Sequence, residues 1–289
     1  MRGPSQEQEF LNQFLHAESR HPFDLTKAPL WRAVWITLDD EDHALLLTFH
    51  HSIVDEWSLR LLAQELQQLY AADESPDATA LPELAVQYAD YAAWERQRLT
   101  GDLLTTQRSY WQQELQDLPE ALELPTDLPR PKRPLGQGAI HEFVLDESQV
   151  RQLRELARQE STTLFTVLLT AFHVWLYRYT RQNDIVVGTP MTVRNRPELQ
   201  SVFGFFLNTL PVRARMEGSQ SFRETVRQVR KTLMGAYSHA DLPFEQMVEV
   251  ALHDRHAGQH PLHQVMFVLL EESLQTLQLE NAKAKPMSV

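Results

Sequence analysis

Two short apolar runs of strand length, joined by an acidic turn, stand out between residues 33 and 49. The runs cover residues 33–38 and 44–49, and four acidic side chains at 39–42 separate them. Apolar runs of this length around a polar turn are typical of an antiparallel hairpin. We therefore predict a hairpin whose second strand ends immediately before His50.

Beyond Trp57, apolar residues recur at steps of three and four, which is the spacing of one helix face. Helices are predicted at residues 57–72, 84–100, 103–118, 148–159, 164–179 and 222–237. Shorter apolar runs predict strands at 140–145, 185–188, 206–213 and 262–270. Because strands and helices alternate, the pattern favours an α/β (α+β) protein.

Residues 119–138 differ in amino-acid composition from the segments on either side. Five prolines and two glycines occur in this stretch, too many for a continuous helix and too irregular for a central strand. We predict an inter-lobe linker here, between a first lobe at 1–118 and a second lobe at 139–289.

Composition excludes several classes of function. The formal net charge of −12 and the lack of a basic stripe argue against nucleic-acid binding. The chain has no cysteine, so disulfides, thiolate metal sites and thiol nucleophiles are excluded, and we predict no metal site. No signal peptide or membrane span is visible near the N-terminus, so a cytoplasmic protein that does not bind membranes is the default expectation.

His50 and His51 lie where the predicted hairpin passes into the first predicted helix. The positive end of a helix dipole favours a neutral imidazole, and a neutral ring can accept a proton. Asp55 can cap the free N–H groups of the helix or pair with a cation. The six residues alone leave a structural histidine pair open as the alternative, since the chain contains twelve histidines.

The longer string from Leu46 to Ser58 resembles the active-site motif of condensation domains of nonribosomal peptide synthetases, written HHxxxDG and followed by Trp-Ser. Further segments resemble later motifs of that family, in the family's order: Tyr88 to Trp94, Val202 to Arg213, His239 to Glu245, and His260 to Val268. The resemblance covers essentially the whole chain.

This resemblance implies a two-lobed fold, and it implies that the chain lacks part of that fold. The family has two chloramphenicol-acetyltransferase-like lobes in a V arrangement, with the active site between them. Its members carry further elements and motifs ahead of HHxxxDG, and more sheet and a helix after the last motif. We therefore expect a chain truncated at both ends, with the first lobe incomplete at its N-terminus and the second at its C-terminus.

The resemblance also implies an activity, that of an acyltransferase-type enzyme of secondary-metabolite biosynthesis. A donor acyl or peptidyl thioester on one carrier protein is attacked by the amine of an aminoacyl group on a second carrier, and an amide forms. The expected partners are upstream and downstream carrier domains and a neighbouring adenylation domain. No cofactor is expected to bind directly, because phosphopantetheine arms of the carriers hold the substrates.

Site roles follow from the same resemblance. His51 is expected to remove or orient the proton of the attacking amine, and His50 is expected to position it. Asp55 is expected to form a structural ion pair with Arg194 across the lobe interface. The motif and tunnel candidates are Glu56, Trp57, Ser58, Gly204 and Asn208.

Glu56 stands where the family motif has glycine. A glutamate adds bulk and negative charge at a point where a substrate could approach the backbone closely, unless its side chain lies along the helix toward solvent. The aromatic residues of the two Trp-containing motifs, Trp57, Tyr88, Tyr91 and Trp94, are predicted to be packing anchors.

Two other functions stay open at this point. One is a non-catalytic condensation-domain fragment that only docks carrier proteins, which the glutamate at position 56 and the expected truncation favour. The other is a coenzyme A-dependent acyltransferase of the same superfamily, although the Tyr88 and His239 motifs favour carrier-bound substrates. Heterocyclization domains replace the histidines by aspartate, so the histidine pair argues against that subtype.

Overall fold

The computed structural model describes residues 4–73, 81–119, 121–128, 138–251, 262–270, 277, 279 and 281–287. The helices are α1 (Pro4–Ser19), α2 (Glu56–Asp73), α3 (Tyr88–Arg98), α4 (Gly101–Glu114), α5 (Glu147–Gln159), α6 (Leu164–Thr180), α7 (Phe222–Ser238) and α8 (Phe244–Ala251). The strands are β1 (Trp31–Thr37), β2 (His43–Phe49), β3 (Asp184–Thr192) and β4 (Leu207–Arg215), and short 3₁₀ turns occupy His51–Ile53 and Pro197–Leu199.

The predicted N-terminal hairpin is present. Strands β1 and β2 are antiparallel, with Trp31 opposite Phe49 and Thr37 opposite His43. Helix α1, which the sequence pattern did not predict, packs Leu11 and Leu15 against the hairpin residue Ala44. Burying these apolar groups together fixes the strand that delivers the histidines.

A second antiparallel pair is formed by β3 and β4, which run in register from Asp184 opposite Arg215 to Thr192 opposite Leu207. Helices α6 and α7 pack on this pair around a core that includes Leu169, Leu176 and Val229. Strand β4 is mostly buried, and its apolar residues Leu210, Val212 and Ala214 are fully shielded from water.

Polar groups lock helices to this sheet. His173 on α6 is fully buried, with Nδ1 2.9 Å from the carbonyl oxygen of Leu169 and Nε2 3.2 Å from that of Val212 on β4. Burial lowers the pKa of His173, which outweighs the opposing effect of the two carbonyl groups. The Arg213 guanidinium pairs with Asp184 and donates to the carbonyls at the C-terminal end of α4, which is the favourable end for a cation.

The helix starts follow from side-chain caps. Asp146 ahead of α5 and Ser221 ahead of α7 each form a capping box, in which the cap side chain and the third helical residue satisfy free N–H groups reciprocally. Helix α3 begins at Tyr88, later than predicted, and the Asp90 carboxylate accepts from the Gln87 N–H just ahead of it. Gly101, with a φ of 56°, allows the turn that separates α3 from α4.

Two predicted strands differ from the structure. Residues 140–145 are not a strand: they pair with no described residue, and Ile140 and Val144 are about nine-tenths exposed, at 90% and 92%. An apolar run adopts strand structure only where a neighbouring strand supplies hydrogen bonds, so the prediction was wrong. Residues 262–270 make one parallel bridge, between Met266 and Gly188, rather than a continuous strand. Helix α8 was not predicted.

The chain forms two compact units. The first unit contains the described residues of Met1–Ala92, Arg194–Phe206 and Glu272–Val289, and the second contains those of Ala93–Val193 and Leu207–Glu271. These groupings differ from the predicted lobes, which divide at 119–138. Residues 120 and 129–137 of that linker lie outside the described residues, so the lobe division and the V arrangement stay predictions. None of the helices described here combines the length and apolar character that crossing a membrane requires.

Candidate active site

His51 lies at the end of β2, in the short 3₁₀ turn that leads into α2, and its side chain is exposed. Its Nδ1 atom is 2.9 Å from the carbonyl oxygen of Val54. Because a carbonyl oxygen can only accept, Nδ1 carries the hydrogen in a neutral ring, which leaves a lone pair on Nε2. His51 is therefore held in the tautomer that can accept a proton at Nε2.

The Nδ1 atom of His50 is an acceptor, in contrast to the Nδ1 atom of His51. The His50 Nδ1 atom accepts the backbone N–H of Ser52 at 3.2 Å and lies 2.7 Å from the Ser52 hydroxyl, so this nitrogen is the unprotonated one. The side chain thereby caps the 3₁₀ turn that contains His51. These contacts give His50 a structural position in the turn.

Asp55 is buried and receives hydrogen bonds from several directions. Its Oδ1 atom accepts the Ser58 N–H at 2.8 Å, which caps α2, and its Oδ2 atom accepts the Phe206 N–H at 3.1 Å. Burial alone would raise the pKa of this carboxyl group, but the bonds from Arg194, Ser58 and Phe206 outweigh it. The pKa of Asp55 is therefore lowered, and the group is a carboxylate at neutral pH.

Arg194 forms a buried ion pair with Asp55, with Nη2 3.0 Å from Oδ1. Its side chain is 2% exposed, and that of Asp55 is 1% exposed. The Nη1 atom donates to the carbonyls of Leu199 and Val202, both at 2.6 Å, and the guanidinium lies 4.0 Å above the ring of Phe206. The arginine thus holds the segment 199–206 in addition to the carboxylate, and the structure brings together the two predicted partners.

Ser58 and Gly204 meet in the same network. The fully buried Ser58 hydroxyl accepts from Arg194 Nη2 at 2.8 Å and from the Gly204 N–H at 3.0 Å, and it lies 2.7 Å from Asp55 Oδ1. A Cβ atom on Gly204 would stand 2.2 Å from Cδ2 of Tyr88, so only glycine fits there. Tyr88 in turn donates from its hydroxyl to the carbonyl of Phe205 at 2.8 Å.

Glu56 begins α2 and points along the helix. Its carboxylate lies 3.8 Å from Arg60 in an i,i+4 pair, with both side chains about one-third exposed, at 31%. Its backbone does not adopt a positive φ, so a glutamate is tolerated where the family motif has glycine. Of the two orientations open to this side chain, the structure has the one along the helix.

The predicted aromatic anchors differ in burial. Tyr91 is buried against the Phe206 ring, whose centroid lies 4.8 Å away, and Trp94 is half-buried beneath Arg98. Trp57 is 39% exposed, so the prediction that it packs in the core was wrong. Its indole N–H instead donates to the Gln200 carbonyl at 2.7 Å, which fastens the 199–206 segment to α2.

Asn208 lies in the second unit, on β4. Its side-chain amide donates to the carbonyls of Ala240 and Leu242 at 2.8 and 2.7 Å, so it joins two of the sequence motifs. Asp241, which lies between these two residues, forms a bidentate ion pair with Arg98 at the end of α3. These contacts give Asn208 a structural position.

Sequence reasoning did not find the contact between His51 and Phe205 or the partner of Asp241. The two rings of His51 and Phe205 have centroids 5.3 Å apart at an angle of 87°. Phe205 lies in the motif segment Val202 to Arg213, at a position where the family motif, Gly-x-Phe-x-Asn from Gly204 to Asn208, specifies no residue, so no signal in the sequence singled it out. The two residues are far apart in the chain, and their contact depends on the folded path of 199–206.

Comparisons with known proteins address the family directly. A family model described as Condensation domain matches residues 2–288. Malpinin synthetase of Mortierella alpina is 38% identical over 286 residues, which are 99% of this chain and 4% of that protein. Phosphinothricin tripeptide synthetase PhsC of Streptomyces viridochromogenes is 39% identical over 270 residues, covering 92% of this chain and 25% of that protein.

Solved structures show the same fold. The X-domain from teicoplanin biosynthesis superimposes with a TM-score of 0.82 at 28% identity, over 89% of this chain and 58% of that one. The first condensation domain of the CDA synthetase gives a TM-score of 0.72 at 21% identity, over 96% and 61% of the two chains. The chain thus spans about three-fifths of these solved chains and a small part of the synthetases, and by the match along its length it belongs to the condensation-domain family of nonribosomal peptide synthetases.

Proposed function

We propose that this chain catalyses amide bond formation between a carrier-bound acyl or peptidyl thioester and the amine of a carrier-bound aminoacyl group. The observation that carries the proposal is the contact between His51 Nδ1 and the Val54 carbonyl oxygen. Its Nδ1–H is engaged by the Val54 carbonyl at 2.9 Å, so its exposed ring offers Nε2 as a proton acceptor at the end of a strand. A positioned neutral imidazole is the usual general base of proteins at neutral pH.

The reaction then follows from the chemistry of the two substrates. The amine nitrogen attacks the thioester carbon, so a C–N bond forms and the C–S bond breaks. The proton lost by the amine passes to Nε2 of His51 and from there to the departing thiolate. Amide and thiol are the products, and no external oxidant, reductant or metal is needed to balance the step.

The surrounding residues have supporting roles in this proposal. His50 caps the turn, and the buried network of Asp55, Arg194 and Ser58 fixes the segment that faces it. We assign these groups to positioning, since each is occupied by protein partners. The substrates would arrive on the phosphopantetheine arms of carrier domains, with an adenylation domain as the neighbour that supplies the amino acid.

The test is single-turnover transfer with defined probes. N-acetylated valine, leucine, phenylalanine and aspartate, as thioesters on one purified carrier protein, are paired with glycine, alanine, leucine and tryptophan on a second. We expect His51→Ala to lower the rate of amide formation by at least about 100-fold, the low end for a positioned acid-base group. His43→Ala, which removes an exposed histidine from the other end of the same strand, is the matched control and should leave the rate unchanged.

Undiminished transfer by His51→Ala, with circular dichroism showing an intact fold, would reject the catalytic role. The same donor acyl groups on coenzyme A form a further arm of the experiment. Transfer from the coenzyme A thioesters but not from the carrier-bound thioesters would favour the coenzyme A-dependent acyltransferase alternative.

A second candidate is a binding module without transfer activity. The solved complex of the X-domain and OxyB from teicoplanin biosynthesis, which matches this chain with a TM-score of 0.83, has this fold bound to another protein. The glutamate at position 56 does not by itself favour this candidate, because its side chain lies along α2 toward Arg60. Carrier binding without amide formation, for all sixteen probe pairs, would support it.

A further inference from the structure

Residues 204–206 are fixed by hydrogen bonds at each successive residue. Gly204 exchanges two bonds with the Ser58 hydroxyl, with its N–H at 3.0 Å and its carbonyl at 2.8 Å. The Phe205 carbonyl accepts from the Tyr88 hydroxyl at 2.8 Å, and the Phe206 N–H donates to Asp55 at 3.1 Å. The backbone on both sides of the Phe205 side chain is therefore anchored, and its direction is set.

That side chain faces His51. The centroids of the two rings are 5.3 Å apart, and the planes are nearly perpendicular at 87°. An edge-to-face arrangement at this distance is one of the two preferred geometries of aromatic pairs. The ring of the next residue, Phe206, packs on the Arg194 guanidinium, so the two neighbouring phenylalanines contact different residues.

An exposed histidine needs more than one contact to keep a single orientation. The bond from Nδ1 to the Val54 carbonyl fixes one edge of the ring, but rotation away from it costs little in water, because solvent can replace the carbonyl. A ring packed against the imidazole restricts this rotation by sterics that water cannot replace. Phe205 stands at that position on a backbone that the buried network holds.

We propose that Phe205 is a positioning residue for His51, which keeps the Nδ1–H tautomer on the Val54 carbonyl and Nε2 presented to the amine. The second part of this statement rests on the proposed function, whereas the first is a property of the free protein. Phe205 is assigned no proton and no contact with the reacting atoms. It acts through the orientation of His51 alone.

The experiment compares matched variants. Phe205→Leu removes the ring and keeps an apolar side chain, and Phe205→Tyr restores a ring of the same shape. Phe203→Leu is the control, because Phe203 lies in the same loop and its ring contacts Phe49, at 5.8 Å between centroids. All variants are made in the full chain, and urea unfolding verifies that each is folded at the assay temperature.

Two measurements follow. In ¹⁵N spectra of histidine-labelled protein, Phe205→Leu should move the His51 ring nitrogens toward the average of the two tautomers, whereas Phe205→Tyr and Phe203→Leu should keep the wild-type signals. In the transfer assay, run at multiple turnover with varied donor concentration and the probe pair that the wild type joins fastest, Phe205→Leu should lower kcat about tenfold with KM changed less than about twofold. Misplacement of a reacting group by about an ångström can cost up to about a hundredfold, so a partial loss of orientation should cost less.

Unchanged His51 nitrogen signals in Phe205→Leu would overturn the proposal, as would equal losses of kcat in the two leucine variants. If the wild-type chain transfers nothing from any probe, the proposed function fails, but the nitrogen spectra still decide whether Phe205 positions His51. The two failures are therefore separable.

Discussion

The buried pair of Asp55 and Arg194 gives the sharpest prediction for stability. We expect Asp55→Ala and Arg194→Ala each to destabilise the protein strongly, and the double variant to lose less than the sum. Both side chains are almost completely shielded from water, at 1% and 2% exposure. Removing one partner leaves the other charge buried without its counter-charge, which costs about 3–5 kcal/mol for a pair of this kind.

The contacts allow the two single losses to be compared. Asp55→Ala removes the acceptor of the Ser58 and Phe206 N–H groups as well as the counter-charge of the arginine. Arg194→Ala removes two bonds to buried carbonyls and the packing over Phe206, each unpaired polar group costing about 1–3 kcal/mol. Each single variant thus leaves two backbone groups and one charge without a partner, so we expect losses of similar size, with the shared pair appearing as a coupling of about 1–3 kcal/mol in a double-mutant cycle.

The assay is urea unfolding of the wild type, both single variants and the double variant at neutral pH, followed by circular dichroism. Glu155 and Arg158 on α5 provide a matched cycle, because they form a pair at 2.7 Å whose side chains are 47% and 77% exposed. The coupling between these two exposed residues should be much smaller than that between Asp55 and Arg194, because solvent screens an exposed ion pair. Additive losses at positions 55 and 194, or a coupling no larger than that of the surface pair, would refute the reasoning.

Three further changes test other parts of the structure. Asp55→Asn should lower the free energy of unfolding at neutral pH. Because the folded pKa of Asp55 is lowered, the extra stability of the wild type is complete above the ordinary value of 3.8 and is lost as the pH falls through the lower folded value. Equal stability of the two proteins already at about pH 6, measured by urea unfolding, would contradict this. Gly204→Ala should cost about 1–3 kcal/mol or prevent folding, since its Cβ would overlap the Tyr88 ring, whereas Gly138→Ala, which meets nothing within 4 Å, should be neutral in the same measurement. Asn208→Ala should destabilise by about 1–3 kcal/mol because it leaves the Ala240 and Leu242 carbonyls without a donor, and exposed Asn195→Ala should change the unfolding midpoint little; equal effects would reject the structural role.

Local patterns in the sequence were sufficient for most of the fold. The hairpin and the helices α2, α3, α4, α5, α6 and α7 were predicted, because periodicity and caps act within a few residues. The run at 140–145 has the same local pattern as a strand, but pairing depends on what lies beside it, and the described residues offer it no partner. Helix α1 was missed since its contacts with the hairpin arise only in the folded chain.

The site divides in a similar way. The family resemblance brought Asp55 and Arg194 to attention although 139 positions separate them in the chain. The contact of Phe205 with His51 could not be inferred, because it depends on which way a loop side chain points. Trp57 was misassigned to the core for a related reason: helical spacing marks a face of the helix, but only the folded chain decides how deeply that face is buried.

The residues around His51 differ from it in their exposure to solvent. The His51 ring, to which we assign the proton transfer, is exposed, whereas Asp55, Ser58 and Arg194 of the neighbouring network are buried. A buried ion pair contributes little net stability compared with apolar residues of the same volume, but it requires one geometry. In this chain that geometry fixes the backbone of residues 204–206, and through them the ring that packs on His51. The network is therefore better understood as setting an orientation than as holding the fold together, which explains why so many polar groups are buried beside a short exposed turn.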